Sequence, residues 1–167
     1  WDMEAAEKGG YPHFMLKEIN EEPAAITATV SPRVENGLPE LRIPELTDEK
    51  LRSIGTVHLV GCGTAMHAGM VGKTAIEALA RVPAEVDIAS EFRYRDPILK
   101  PEDLVIIISQ SGETSDTLAA LKLAKSRGVP VLAIVNVVGS SIAREYDEVL
   151  YTWAGPEIAV ATTKAYS

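Results

Sequence analysis

The sequence predicts an α/β protein: a three-layer α/β/α arrangement with a five-stranded parallel sheet, preceded by a helical arm. Three observations predict it. From residue 56 onward, short apolar runs alternate with helical stretches, two of them longer than ten residues. Two of those runs pass directly into turns rich in glycine or hydroxyls that open a helix, at 61–64 and 109–114. The run Val105–Ile108 is apolar without alternation, as a strand covered on both faces requires. Strands that alternate with helices in this way give parallel pairing and right-handed crossovers.

The elements follow in order. Residues 1–12 are polar, contain Gly9, Gly10 and Pro12, and read as a linker. A helical pattern starts at His13, with Phe14, Leu16 and Ile19 on one side. Lys17 and Glu18 lie between them. The charges at 17–22 read as a solvated face. Pro23 should interrupt this helix, and a second stretch should run over 24–30. Residues 31–46, with Pro32, Gly37, Pro39 and Pro44, read as loop. Thr47 should cap a short helix at 48–53. The first sheet strand is expected at 56–60, its helix at 65–80, and the second strand at 84–89 after Pro83. A helical turn follows at 91–94. The third strand is expected at 104–109 and its helix at 113–126, closed by Gly128. The fourth strand is expected at 130–135, a short helix at 140–144 and the fifth strand at 148–152.

Composition narrows the function. The net charge of -8 and pI near 4.9 disfavour nucleic acid as a partner. No apolar run approaches the roughly 18 residues of a membrane helix, and the first residues do not form a signal peptide. A single cysteine, Cys62, excludes an internal disulfide and fits a reducing cytoplasm. Three scattered histidines and one cysteine give no metal-ligand spacing, and no cofactor motif is complete. Gly61-x-Gly63 after a strand suggests a dinucleotide, but the third glycine position falls on Met66. The chain reads as a piece of something longer.

The most informative stretch is SQSGET at 109–114. The first amides of the helix that follows have no intrahelical acceptor, and the helix dipole is positive there. An anion fits that place, with Ser109, Ser111 and Thr114 adding hydroxyl donors. The loop has no lysine and no P-loop pattern, which disfavours a nucleoside triphosphate and favours one phosphate on a small molecule. The plainer reading is a helix capped by Ser111 or Thr114. His58 within a strand reads as a core or hydrogen-bonded histidine, His67 as a surface or packing residue, Cys62 as a small buried one and Lys164 as a solvated charge. The turns at 61–64 and 109–114 follow the first and third strands, so they share one sheet edge and frame one pocket.

SQSGETSDT at 109–117 resembles the phosphate loop of sugar isomerase (SIS) domains. GCGTAMHAG at 61–69, ASEFRYR at 89–95 and AGPEIAVATTKAYS at 154–167 are similar to the isomerase part of the glutamine–fructose-6-phosphate aminotransferase family, the glucosamine-6-phosphate synthases. Residues 1–23 resemble the segment that joins that family's glutaminase and isomerase domains. The resemblance implies a flavodoxin-like SIS fold, with linker and arm at 1–46 and a first SIS domain at 47–167. It implies the making of glucosamine 6-phosphate from fructose 6-phosphate and glutamine, without cofactor or metal. Fructose 6-phosphate or glucosamine 6-phosphate would be the small-molecule partner. A glutaminase domain and a second SIS half would be the protein partners in the parent, which is expected to be a homo-oligomer. Ser109, Gln110, Ser111 and Thr114 would hold the phosphate and Thr64 the phosphosugar. Val160 and Thr162 would approach its C1–C2 end. Two positions depart from the family: Ala65 and Thr162 stand where serine is usual. The family's catalytic groups lie in other segments, so no catalytic residue is expected within these 167. The alternative is a non-catalytic SIS module that senses phosphosugars for a regulator.

Overall fold

A computed structural model describes residues 7–146 and 148–166. Helix α1 (Phe14–Val30) leads into a single 3-10 turn and a minute antiparallel hairpin, β1 (Val34–Glu35) and β2 (Leu38–Pro39). After α2 (Asp48–Arg52) come β3 (Val57–Gly61), α3 (Thr64–Ala75), β4 (Ala84–Ile88) and α4 (Ala89–Phe92). Then follow β5 (Leu104–Ser109), α5 (Ser115–Ser126), β6 (Val131–Val135), α6 (Ser141–Glu145) and β7 (Val149–Tyr151).

The main sheet has five strands in the order β4-β3-β5-β6-β7, all parallel, as the alternation predicts. Every residue of β5, the central strand, is buried. Successive side chains point to opposite faces, so the apolar run feeds two cores. Val105 and Ile107 pack with Val60, Phe92, Leu121 and Ile142 under α4, α5 and α6. Leu104, Ile106 and Ile108 pack with Leu59, Ala65 and Leu132 on the α3 side. Each fully buried side chain such as Ile107 or Leu121 stabilises by roughly 1.5–3 kcal/mol. The chain passes from β4 to β5 across β3, so strand order reverses between β3 and β5. That crevice, at the carboxyl ends, is where such sheets bind ligands.

The strands fall within a residue or two of their expected positions, and Thr47 caps α2 by accepting from the Lys50 amide at 3.2 Å. Helix α5 starts at Ser115 rather than 113. Gly112 sits at φ +65°, and the amides of residues 112 and 113 bond to serine side chains, which holds 112–114 in a turn. The helix after β3 is α-helical only to Ala75. Its last turn, Ile76–Ala80, is π-helical, and the chain leaves it through Arg81 in the left-handed region. Part of the expected loop is the hairpin β1–β2. Its turn is Asn36-Gly37, both at positive φ, a pair suited to a two-residue hairpin turn.

The arm differs from expectation in two ways. Pro23 does not break it: α1 runs unbroken through Pro23. Pro23 and Ile19, the residue whose carbonyl loses its helical donor, are both exposed, so water can take that donor's place. Tertiary bonds also hold the helix on both sides of Pro23. Glu18 binds the 158–159 backbone, and Thr29 and Arg33 donate to the carbonyls of Thr152 and Tyr151. The second correction concerns which face is covered. Met15, Leu16 and Ile19 are about two-fifths exposed, whereas Lys17 and Glu18 are buried. The charges do not form a solvated face: Glu18 and Glu21 find partners in the last loop of the chain, and Lys17 pairs with Glu21 and the Glu7 carbonyl. Among the described residues no helix is long and apolar enough to cross a membrane.

Candidate functional site

The turn after β3 is built on backbone. A Cβ on Gly61 would lie 3.0 Å from the Ile108 carbonyl and 3.2 Å from Ala65, so only glycine lets α3 start this close to β5. Gly63 precedes α3 at φ +56° and ψ -130°, a conformation that favours glycine. Thr64 then opens the helix, and its Oγ1 accepts the amide of Thr162 at 3.3 Å.

The turn after β5 is built on side chains. Ser109, at the buried end of the strand, accepts the Gly112 amide at 3.1 Å. The Ser111 hydroxyl accepts the Glu113 amide at 3.2 Å. Gln110 accepts the Asn136 amide through its carbonyl at 3.1 Å. Glu113 turns away from the crevice and accepts both the amide (2.8 Å) and the hydroxyl (2.6 Å) of Ser141. The Ser141 hydroxyl, then its amide, and then Arg144 hold the Glu113 carboxyl below its usual range. Thr114 is the N-cap residue of α5, yet its side chain makes no capping bond.

Between the two turns lies a cavity of about 270 Å³. Ser109, Gln110, Ser111 and Thr114 line one side, Thr64 the floor of the first turn, and Val160 and Thr162 the rim. All seven residues expected to bind therefore meet at one place. No lysine, arginine or histidine is among the lining residues. Neutral donors and the amino end of α5 are what it offers an anion. The amides of Gly112 and Glu113 are engaged within the turn, and the first helical turn beginning at Ser115 offers amides with no intrahelical acceptor.

Sequence reasoning missed part of this wall. Thr117, 1% exposed, lines the cavity one helical turn after Thr114 and lies 4.0 Å from Cys62 Sγ. The spacing of three between two threonines on one helix face was the available clue. Cys62 is half-buried and lines the cavity, where a buried packing residue was expected. His67 is exposed, as expected. His58 is a core residue, 4% exposed, 3.5 Å from Asp103 and 3.7 Å from Glu85. It lies at the opposite, amino edge of the sheet and takes no part in the hydroxyl-lined site. Lys164 corrects an expectation: it is buried and pairs with Glu21 at 2.7 Å rather than facing solvent.

The loop that carries Val160 and Thr162 has no helix or strand. Side chains hold it. Glu18 of α1 accepts the amides of Ile158 (2.6 Å) and Ala159 (3.1 Å), and Glu157 accepts that of Thr163 (2.8 Å). Burial, and then the nearby Glu18 charge, raise the Glu157 carboxyl above its ordinary range, against the pull of its hydrogen bonds.

Comparison with known proteins fits this geometry. A family model described as the SIS domain matches residues 50–167. The chain belongs to the SIS domain family. Over its whole length this SIS chain is 61% identical to a glutamine–fructose-6-phosphate aminotransferase (isomerizing) of Clostridium acetobutylicum and 62% identical to that of Caldanaerobacter subterraneus. It spans 28% of each of those proteins. Among solved structures it superposes on the C-terminal domain of the Francisella tularensis glucosamine-fructose-6-phosphate aminotransferase with a TM-score of 0.87 at 43% identity. That match covers 96% of this chain and 45% of that one. The sugar isomerase domain of an RpiR transcription factor from Sphaerobacter thermophilus aligns at a TM-score of 0.68 and 22% identity, a likeness of fold alone.

Proposed function

We propose that this SIS domain binds a phosphosugar, fructose 6-phosphate or glucosamine 6-phosphate, as the first SIS half of a glutamine–fructose-6-phosphate aminotransferase. The observation that carries the reading is the uncommitted Thr114 hydroxyl. A residue placed only to cap α5 would bond to the helix. Thr114 instead lines the cavity beside Ser109, Gln110 and Ser111. In this reading those four hold the phosphate, Thr64 braces the sugar, and Val160 and Thr162 face its C1–C2 end. Residues 1–46 form the linker and arm and 47–167 the SIS half. A glutaminase domain and a second SIS half complete a cytoplasmic, homo-oligomeric enzyme. The strongly exposed Val71, Leu79 and Ile98 suit contact with further chain or subunits. The alternative, a regulator's sensor, is weakened by the match of residues before 50 to the aminotransferases over the full chain. A parent reading frame lacking the amidotransferase would restore it.

Calorimetry tests the reading. Each hydrogen bond to a charged phosphate is worth roughly 1.5–3 kcal/mol, so Ser111→Ala combined with Thr114→Val should weaken fructose 6-phosphate binding at least about tenfold. Equal binding by both proteins would make the stretch a helix cap. The cavity lining holds no carboxylate, imidazole or amine. These residues alone should therefore give no turnover with fructose 6-phosphate and ammonia, because ring opening and amination need acid–base and amine groups.

A further inference from the structure

The arm and the cavity rim are joined through buried charge. Glu18 is 2% exposed, and its carboxylate is used on two backbone amides, those of Ile158 and Ala159. These immediately precede Val160, which is fully exposed at the cavity rim. One helical step further along the arm, Glu21 holds the buried Lys164 at 2.7 Å, just past Thr162. Two residues of one helix thus grip the loop on both sides of its cavity-lining residues. Burying the carboxylate is costly on its own, and the two loop amides it accepts offset that cost, so the charge is tied to this loop rather than to the helix. The loop has no regular structure of its own, so its shape depends on these ties. The phosphate side does not depend on them. Residues 109–114 are held by β5, by residue 136 and by the start of α6.

We propose that α1 is the positioning element of the sugar-facing loop, acting through Glu18, so that the placement of the arm sets affinity for the sugar end of the ligand and leaves the phosphate cradle unchanged. This rests on the phosphosugar reading of the cavity. The arm's amino end continues into the preceding chain, so a shift there is transmitted along a rigid helix to residues 158–164.

The experiment combines amide hydrogen exchange without ligand and calorimetry with two probes, fructose 6-phosphate and inorganic phosphate. Glu18→Ala should speed exchange at 158 and 159 at least about tenfold and leave the amides of 112 and 113 unchanged. It should weaken fructose 6-phosphate about tenfold while inorganic phosphate stays within about twofold. Glu18→Gln keeps an acceptor oxygen and should restore both properties. Unchanged exchange at 158–159 in Glu18→Ala would overturn the proposal. So would equal weakening of both probes, or a Glu18→Gln variant as impaired as Glu18→Ala. Should Glu18→Ala fail to fold, Lys164→Met removes the other tie. It should loosen the amides of 163 and 166 and lower affinity for the sugar alone; no change in either would overturn the proposal. A wild-type protein that binds neither probe would refute the phosphosugar reading, and the exchange data would still decide whether the arm holds the loop.

Discussion

The turns after β3 and β5 occupy equivalent places on either side of the crevice, and they solve the same problem differently. The first relies on glycine. Gly61 admits α3 to the sheet, Gly63 supplies an unusual backbone angle, and the side-chain bonds are Thr64 to a distant loop and a long contact from Thr117 to Cys62. The second relies on a closed set of hydrogen bonds. Ser109 and Ser111 take the turn's own amides, Glu113 anchors it to α6, and the Ile142 amide returns to the Gly112 carbonyl at 3.0 Å. The second turn is closed by its own bonds before anything binds. The first is open, and its cavity side is completed by a loop held from elsewhere.

The largest expected effect separates the two turns at their glycines. A Cβ on Gly112 would lie 2.1 Å from the Ser140 hydroxyl and 2.5 Å from its Cβ, at φ +65°. Gly112→Ala should cost about 3 kcal/mol or more, combining overpacking with backbone strain. A Cβ on Gly63 would meet nothing within 4 Å. Gly63→Ala should therefore cost only the backbone part, about 1–3 kcal/mol. Denaturant melts of the two variants rank them, and a reversed order would undo the contrast between closed and open turns.

A smaller effect divides the serines of the second turn. Ser109→Ala strands the buried Gly112 amide and should cost about 1–3 kcal/mol. Ser111→Ala exposes the Glu113 amide to water and should cost below about 1 kcal/mol. Equal losses would show that both hydroxyls are needed equally by the fold, against the buried-versus-exposed contrast of the two amides.

The smallest effect is in pH. Glu113 is held below its ordinary range, so its contribution is present above the unfolded carboxyl value of about 4.3 and is lost as pH falls through its lowered folded value. Acid should release the second turn before the first, seen as faster exchange at 112–113 while the Thr162 amide keeps its protection. Glu157 has the opposite sign. Its raised value means that protonation favours the folded state, so its contribution grows as pH falls through that raised value toward about 4.3. Glu157→Gln should remove that slope from stability measured between neutral pH and pH 5; an unchanged slope would show that the carboxyl is not raised in the folded protein.

The sheet was legible in the sequence because its causes are local. An apolar run such as Val105–Ile108 between turn residues has few alternatives, and both turns were located by their composition. The arm was read less well, since the evidence lay far away. Glu18 and Glu21 look like a wet helix face until residues 158–164 are folded against them. Pro23 looked like a break for the same reason: local chemistry argued for a stop, and contacts with residues 151–159 outweighed it. The Asn36-Gly37 hairpin was present in the sequence but hidden among prolines. In the cavity, the hydroxyl row was visible as a motif, whereas the roles of Cys62 and Thr117 emerged only when β3 met α5.

The absence of any cation from the cavity lining bears on how fast a ligand arrives. A site ringed with arginine draws phosphates from a distance, and added salt slows their capture. Here the whole chain carries a net charge of -8, and the attraction begins only at the short-range dipoles of α5. In the phosphosugar reading, a phosphate ester would approach this chain against its long-range field, and salt that screens the field should quicken the encounter.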